Sequence, residues 1–208
     1  MDQLTAPTLE AALLKGCASF APDELAYLAL TSKPEGPIRD RLAWVLHTSV
    51  PGVIAAREWA SPLRRARTDL AVLDAATHAP LGLVELKASY TFDFAHEHML
   101  AGHKYTQWVA DDLEKAHAAG AGTCPVFALL LLTNPAGVSE QPSSVVKYRP
   151  NVARSLRGRT ADDVAAIART VACAHLSAFG TVANGTIDAG TAFGIATSIE
   201  YFLVAAAR

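Results

Sequence analysis

Two short apolar segments, residues 68–74 and 81–88, are rich in leucine and valine, and turn-forming residues separate them. This pattern predicts two adjacent antiparallel strands. Side chains alternate along a strand, so Glu85 and Lys87 should share one face of the sheet. Antiparallel pairing should bring Asp69, on the preceding strand, close to both of them. Three charged groups are thus expected to meet in a mostly apolar sheet.

The remaining pattern predicts helices and strands around this hairpin. Helices are predicted at residues 8–15, 22–30, 36–49, 94–119 and 160–178, and strands at 53–59, 126–133 and, as one or two closing strands, within 190–207. Residues 126–133 are apolar throughout, which is typical of a central strand covered by helices on both faces. Residues 134–150 contain prolines and serines and are expected to form a loop. The order of elements predicts an α/β protein with a central mixed β-sheet flanked by helices.

The composition favours one compact domain over residues 1–208, with 51% hydrophobic and 18% charged residues. We divide it into N-terminal helices (1–50), a core (53–133) and a C-terminal helix with closing strands (160–208). The net charge of −2 predicts no general attraction to polyanions, so nucleic-acid binding would need local basic patches.

The cysteines and the apolar runs indicate the cellular compartment that we expect. Three widely spaced cysteines, without a CxxC pair, argue against a disulfide framework or a zinc ribbon. The N-terminus lacks a basic stretch followed by an apolar core, and the longest apolar run, residues 126–132, is too short to span a bilayer. We expect a soluble, cytoplasmic protein with no membrane partner.

Two carboxylates and an ammonium are costly to bury unless they pair with one another or bind a metal. Carboxylate oxygens from Asp69 and Glu85 suit a hard cation such as Mg²⁺ or Mn²⁺. An Asp on one strand followed by Glu-x-Lys on the next resembles the PD-(D/E)xK nuclease superfamily, with Thr68 in place of the motif's proline. Glu85-Leu86-Lys87 is the only acidic-x-Lys triplet in the chain. The resemblance implies a restriction-endonuclease-like fold.

The resemblance also implies an activity, the divalent-metal-dependent hydrolysis of phosphodiester bonds, with DNA as the favoured substrate. Asp69 and Glu85 would hold Mg²⁺ or Mn²⁺ together with the Leu86 carbonyl, and Lys87 would position the attacking water. In that superfamily the helix before the first strand often adds a glutamate to the metal site, and Glu35 is the candidate by position. An acid at a helix start also complements the helix dipole, which is the simpler explanation for Glu35.

The helix after the Glu-x-Lys strand carries polar residues that line the active site in several branches of the superfamily. Gln107 is the candidate on this helix, although an exposed glutamine is an equally good interpretation.

Basic residues concentrate in two segments that could hold phosphates. Arg64, Arg65 and Arg67 directly precede Asp69. The second segment, residues 147–159, has five basic residues and no acid, and its nucleic-acid-binding candidates are Arg154, Arg157 and Arg159. Ordinary solvated surface is the competing interpretation for both segments.

Three other interpretations remain open. The protein could keep the fold without cutting, as a nucleic-acid-binding or protein-interaction module, or Glu85 and Lys87 could form a plain salt bridge at the sheet margin. A zinc hydrolase would use His96, His98 and His103, but their spacing does not bring all three to one helix face.

Cutting both strands of a duplex would favour a symmetric homodimer.

Overall fold

The structure is a computed structural model that describes residues 3–62, 67–95, 100–120 and 122–207. The helices are α1 (Ala6–Cys17), α2 (Glu24–Thr31), α3 (Glu35–Ser49), α4 (Phe92–Ala95), α5 (Leu100–Ala119), α6 (Arg149–Ser155) and α7 (Ala161–Leu176). The strands are β1 (Val53–Ala60), β2 (Arg67–Asp74), β3 (Pro80–Tyr90), β4 (Val126–Pro135), β5 (Gly180–Ala192) and β6 (Ile195–Ala206).

The strands form one six-stranded mixed sheet in the order β1-β2-β3-β4-β6-β5. All neighbouring strands are antiparallel except β3 and β4, which run parallel and are joined by a crossover that contains α5. The centre of the sheet, β3 and β4, is almost fully buried because helices cover both of its faces. The α/β class and the mixed sheet flanked by helices are therefore confirmed.

Two apolar cores lie on opposite faces of this sheet. On one face Val84 and Leu86 pack with α1, α2 and α3. On the other face Leu83 packs with α5 and α7. Since side chains alternate along β3, Glu85 and Lys87 lie on the same face as Leu83, toward α5. The predicted division of β3 into two faces is confirmed.

The helix predicted over 94–119 corresponds to α4 and α5, and residues 96–99 between them lie outside the described part of the chain. Two other predictions differ from the structure. The basic segment contains a short helix, α6, which the sequence pattern did not predict. The closing strands begin ten residues earlier than expected, at Gly180, because β5 is a half-exposed edge strand whose glycines and polar residues hide its strand pattern.

The start of α7 follows from its sequence. Thr160 accepts a hydrogen bond from the Asp163 backbone N–H, and the Asp163 carboxylate accepts one from the Thr160 backbone N–H. This capping box satisfies two N–H groups that a helix start leaves free.

Of the helices in the described ranges, none is both long enough and apolar enough to cross a membrane.

Candidate active site

The site is built where β2 and β3 separate. The last backbone pair between these strands joins Leu70 to Val84, so Asp69 and Glu85 are the next residues to face each other. Asp69 Oδ2 accepts a hydrogen bond of 2.7 Å from the backbone N–H of Leu86. The Asp69 carboxylate thus lies in the opening between the two strands and is fixed by the β3 backbone.

Glu85 is a buried acid beside a second acid, with 3% of its surface exposed. Burial, the neighbouring Asp69 charge and a hydrogen bond with Asp69 together raise the pKa of Glu85 to about 8, against the opposing charge of Lys115. Glu85 Oε1 accepts no hydrogen bond from any residue in the described ranges, and the Lys115 ammonium lies 3.5 Å from it. Even with the Lys115 ammonium nearby, and without a metal ion, this raised pKa favours the protonated form of Glu85 at neutral pH.

Lys87 lies on the same face of β3 and is held by α5. Its ammonium is 2.6 Å from Asp112 Oδ2. Burial alone would lower the pKa of Lys87, but the hydrogen bond and the charge of Asp112 more than offset it, so the pKa is raised. Lys87 is therefore a protonated, oriented ammonium beside the two carboxylates.

Asp112 and Lys115 are functional candidates that the sequence reasoning missed. Lys115 Nζ lies 3.4 Å from Asp112 Oδ1 and 3.5 Å from Glu85 Oε1. Helix α5 therefore contacts Glu85 through Lys115 and Lys87 through Asp112. In the sequence, Asp111 and Lys115 have the i,i+4 spacing of a pair on one helix, whereas in the structure Lys115 lies near Asp112 and Glu85. The signal that could have found Asp112 is its position one residue before Leu113, on the apolar side of α5.

Glu35 joins the site from the start of α3, on the other side of the sheet. Its Oε2 accepts a hydrogen bond of 3.1 Å from the Ala88 backbone N–H. Burial and the charge of Asp69 raise the pKa of Glu35, and the charge of Lys87 opposes this rise. Glu35 therefore lies close enough to Asp69 and Lys87 for their charges to affect its pKa, and its place in a metal site stays a prediction.

Gln107 is not brought to the site. It is exposed, and its amide donates a hydrogen bond of 2.8 Å to Asp111 Oδ1. At 100° per residue, Gln107 points about 140° around α5 from Asp112. Leu86 buries its side chain in the opposite core while its N–H contacts Asp69, so its peptide group, but not its side chain, is part of the site.

The predicted phosphate-binding arginines differ in their exposure to solvent. Arg67, Arg154 and Arg157 are exposed, whereas Arg159 is half-buried and donates a hydrogen bond of 3.3 Å to the Ala95 carbonyl. Arg159 therefore joins α4 to the segment after α6.

Several other candidates cannot be placed. Arg64 and Arg65 lie outside the described residues, as do His96, Glu97 and His98, and the side chain of His103 is not described.

The residues present fit a hard divalent cation held by few protein ligands. Within the described ranges, no group of three or more His, Cys, Asp or Glu side chains is arranged to hold a metal ion. Mg²⁺, however, is usually bound through one or two carboxylates, several waters and substrate phosphates. Asp69 and Glu85 supply two adjacent carboxylates, and Glu85 Oε1 is buried and accepts no hydrogen bond from the residues that the structure describes. This donor set suits Mg²⁺ or Mn²⁺ and lacks the nitrogen or sulfur ligands typical of zinc.

No match to this chain was found among models of known protein families, among curated proteins or among solved structures.

Proposed function

We propose that this protein is a divalent-metal-dependent nuclease with a restriction-endonuclease-like fold, and that it hydrolyses phosphodiester bonds in DNA. The observation that carries the proposal is the meeting of Asp69, Glu85 and Lys87 at the point where β2 and β3 separate. A buried and a half-buried carboxylate next to an ammonium are expensive for a fold that needs only an apolar sheet. Such perturbed ionisable groups concentrate at functional sites.

Each residue has a task that follows from its position. Asp69 and Glu85 would hold Mg²⁺ or Mn²⁺, which when bound polarises phosphate oxygen and activates water. Lys87 supplies a positive charge to the phosphate oxygens as negative charge develops on them. Asp112 holds the Lys87 ammonium in place, so the ammonium needs little reorganisation during the reaction. Glu35, fixed by the Ala88 N–H, adds a third carboxylate at the edge of the site.

DNA as the substrate is supported by exposed cations in the two basic segments. Arg67 lies two residues before Asp69, and Arg154 and Arg157 are exposed on and just after α6. Because the chain as a whole is slightly acidic, positive charge collected in these segments would attract phosphate locally. Arg159 is a weaker candidate, since it donates to the Ala95 carbonyl.

A second candidate function is a binding module of the same fold that does not cut. One observation favours it: Lys87 is paired with Asp112, and Lys115 lies between Asp112 and Glu85. These pairs compensate much of the charge in the site without metal or substrate. Catalysis would require that Lys115 move away from Glu85 when a cation binds, whereas a binding module would keep this arrangement.

The experiment that tests the proposal is cleavage of supercoiled, linear and single-stranded DNA in Mg²⁺ or Mn²⁺, with EDTA as the reference. We expect metal-dependent cleavage by the wild type and none by Asp69→Asn, whose side chain keeps its size and loses its charge. If folded wild-type protein binds DNA but leaves it intact under both metals, the non-cutting module replaces the nuclease. Cleavage that needs zinc instead would move the metal site to the histidines.

A further inference from the structure

Three aromatic side chains and two lysines form a surface beside the candidate active site. The aromatic residues are Tyr105 and Trp108 of α5 and Tyr148, which directly precedes α6. We call these three residues with Lys33 and Lys104 the aromatic surface. The Tyr105 and Trp108 rings meet edge to face with centroids 5.0 Å apart, and Trp108 and Tyr148 keep 36% and 47% of their surface exposed.

The aromatic surface is continuous with the charged site. Tyr105 forms a hydrogen bond with Ser89, which lies two residues after Lys87 on the same face of β3. Trp108 precedes Asp112 by four residues, which is about 6 Å along α5. Tyr148 lies close enough to Tyr105 for its charge to affect the pKa of Tyr105. A chain that leaves the active site along α5 would therefore meet Trp108 first.

Positive charge lines this surface. The Lys33 ammonium lies 5.8 Å from the centre of the Tyr105 ring, and the Lys104 ammonium lies 4.6 Å from the centre of the Trp108 ring. A cation over a ring contributes only about 0.5–1 kcal/mol at an exposed position, so either lysine can turn toward a phosphate at small cost.

The acids near the aromatic surface have partners of their own. Asp111 accepts a hydrogen bond from Gln107, and Asp93 accepts one from Ser89. These bonds fix the positions of the two carboxylates. Lys33 and Lys104 supply positive charge to the aromatic surface, which complements the phosphates of a polyanion.

We propose that the aromatic surface binds unpaired nucleotides of single-stranded DNA next to the bond that is cut. This inference rests on the proposed nuclease function and names its substrate class. Exposed aromatic rings stack on bases of any sequence, and lysines beside them follow the phosphates. In a duplex the faces of the bases are already stacked on one another, so a duplex offers Trp108 nothing to stack on.

The test measures binding without cutting. Fluorescein-labelled oligodeoxythymidylate is titrated with protein in EDTA, followed by anisotropy, and a duplex of the same length serves as competitor. Trp108→Ala should weaken single-strand binding about five- to hundredfold, the range for loss of one base stack. Trp108→Phe, which keeps a ring, should retain most of the affinity.

Trp44→Ala is the matched control. Trp44 is another exposed tryptophan, with 64% of its surface exposed, and it lies on α3 beside His47. It follows Glu35 by nine residues, which is about 13 Å along the helix. Its replacement should leave the affinity for oligodeoxythymidylate unchanged. Circular dichroism of all variants would show that each one is folded.

Lys104→Ala tests the phosphate contact separately. It should reduce the slope of log affinity against log salt by somewhat less than one, as for the loss of one phosphate contact on a single strand.

The inference is overturned if Trp108→Ala binds the single strand as tightly as wild type, or if duplex competes as well as the single strand. Cleavage would then still support the nuclease. Conversely, loss of affinity in Trp108→Ala together with no cleavage under any metal would remove the nuclease and leave a single-strand-binding surface.

Discussion

Glu85 and Glu200 are two buried glutamates of the same sheet with opposite surroundings. They are 3% and 2% exposed and lie on β3 and β6. Glu200 Oε2 accepts hydrogen bonds of 3.0 and 2.7 Å from Nε and Nη2 of Arg169, and Thr186 donates a third of 3.1 Å. The fold thus provides Glu200 with a cation and a hydroxyl.

Glu85 has no such set of partners. Asp69 is beside it, Oε1 accepts no hydrogen bond from the described part of the chain, and the Lys115 ammonium is 3.5 Å away. A buried acid with good partners is compatible with a purely structural role, whereas a buried acid next to another acid lowers stability. The difference supports a structural role for Glu200 and the proposed metal-binding role for Glu85.

The largest expected effect compares Lys87, on the same face of β3 as Glu85, with Arg169, which pairs with Glu200. Lys87→Ala should reduce metal-dependent cleavage about a hundredfold or more, as for other lost electrostatic stabilisers, while DNA binding survives. Arg169→Ala is the matched control, because it removes the cation that pairs with Glu200. It should lower the free energy of unfolding and leave the cleavage rate of the folded fraction unchanged. Equal cleavage by Lys87→Ala and wild type would remove Lys87 from the mechanism.

The free energy of unfolding should respond differently to replacement of Glu85 and of Glu200. Glu200→Gln weakens the hydrogen bonds from Arg169 and should lower the free energy of unfolding by about 1–3 kcal/mol, the range for hydrogen bonds to a charged group. Glu85→Gln replaces a buried, protonated carboxyl next to Asp69 with a neutral amide of similar size, and the free energy of unfolding should stay the same or rise. Urea denaturation at neutral pH measures both. A larger loss for Glu85→Gln than for Glu200→Gln would contradict the comparison.

Metal binding should depend on Glu85 and Asp69 and not on Glu200. Isothermal calorimetry with Mn²⁺ should show at least a tenfold weaker affinity for Glu85→Gln and for Asp69→Asn, since even partners of metal ligands contribute about 10–100-fold. Glu200→Gln and His98→Ala should bind as wild type. If His98→Ala loses binding while the two carboxylate variants keep it, the cation is not at this site.

The last prediction concerns pH. The pKa of Glu85 is about 8 in the folded protein against an ordinary value of 4.5, so between these values the folded state holds a proton that the unfolded chain has lost. The contribution of Glu85 to stability is therefore complete below pH 4.5 and falls as the pH rises to about 8, by at most about 1.4 kcal/mol per pH unit.

Urea denaturation of wild type and Glu85→Gln across this range isolates that contribution. The difference between the two should shift in favour of Glu85→Gln as the pH rises, and saturating Mn²⁺ should reduce the shift, because the cation takes the place of the proton. Glu200→Gln provides the reference for a buried glutamate that has its own cation. A wild type and Glu85→Gln that change in parallel from pH 5 to 8 would mean that Glu85 has an ordinary pKa.

Sequence alone placed the strand side of the site. Alternation along residues 81–88 put Glu85 and Lys87 on one face, and antiparallel pairing of the predicted hairpin put Asp69 opposite Glu85. Both follow from the two-residue period of a strand and the pairing of neighbouring segments, which are properties of a short stretch of chain. The same rules gave the mixed sheet and most helix positions.

Only the tertiary structure decided which groups face these three residues. The rotation of α5 about its axis depends on how Val109, Leu113 and Ala116 pack into the core, and that packing turns Asp112 toward Lys87 and Gln107 away from it. The contact of Glu35 with Ala88 joins positions 53 residues apart. Such contacts depend on how whole helices and strands pack together. A local sequence pattern defines which face of a helix is apolar, but it does not define which residues of another element the polar residues beside that face will contact.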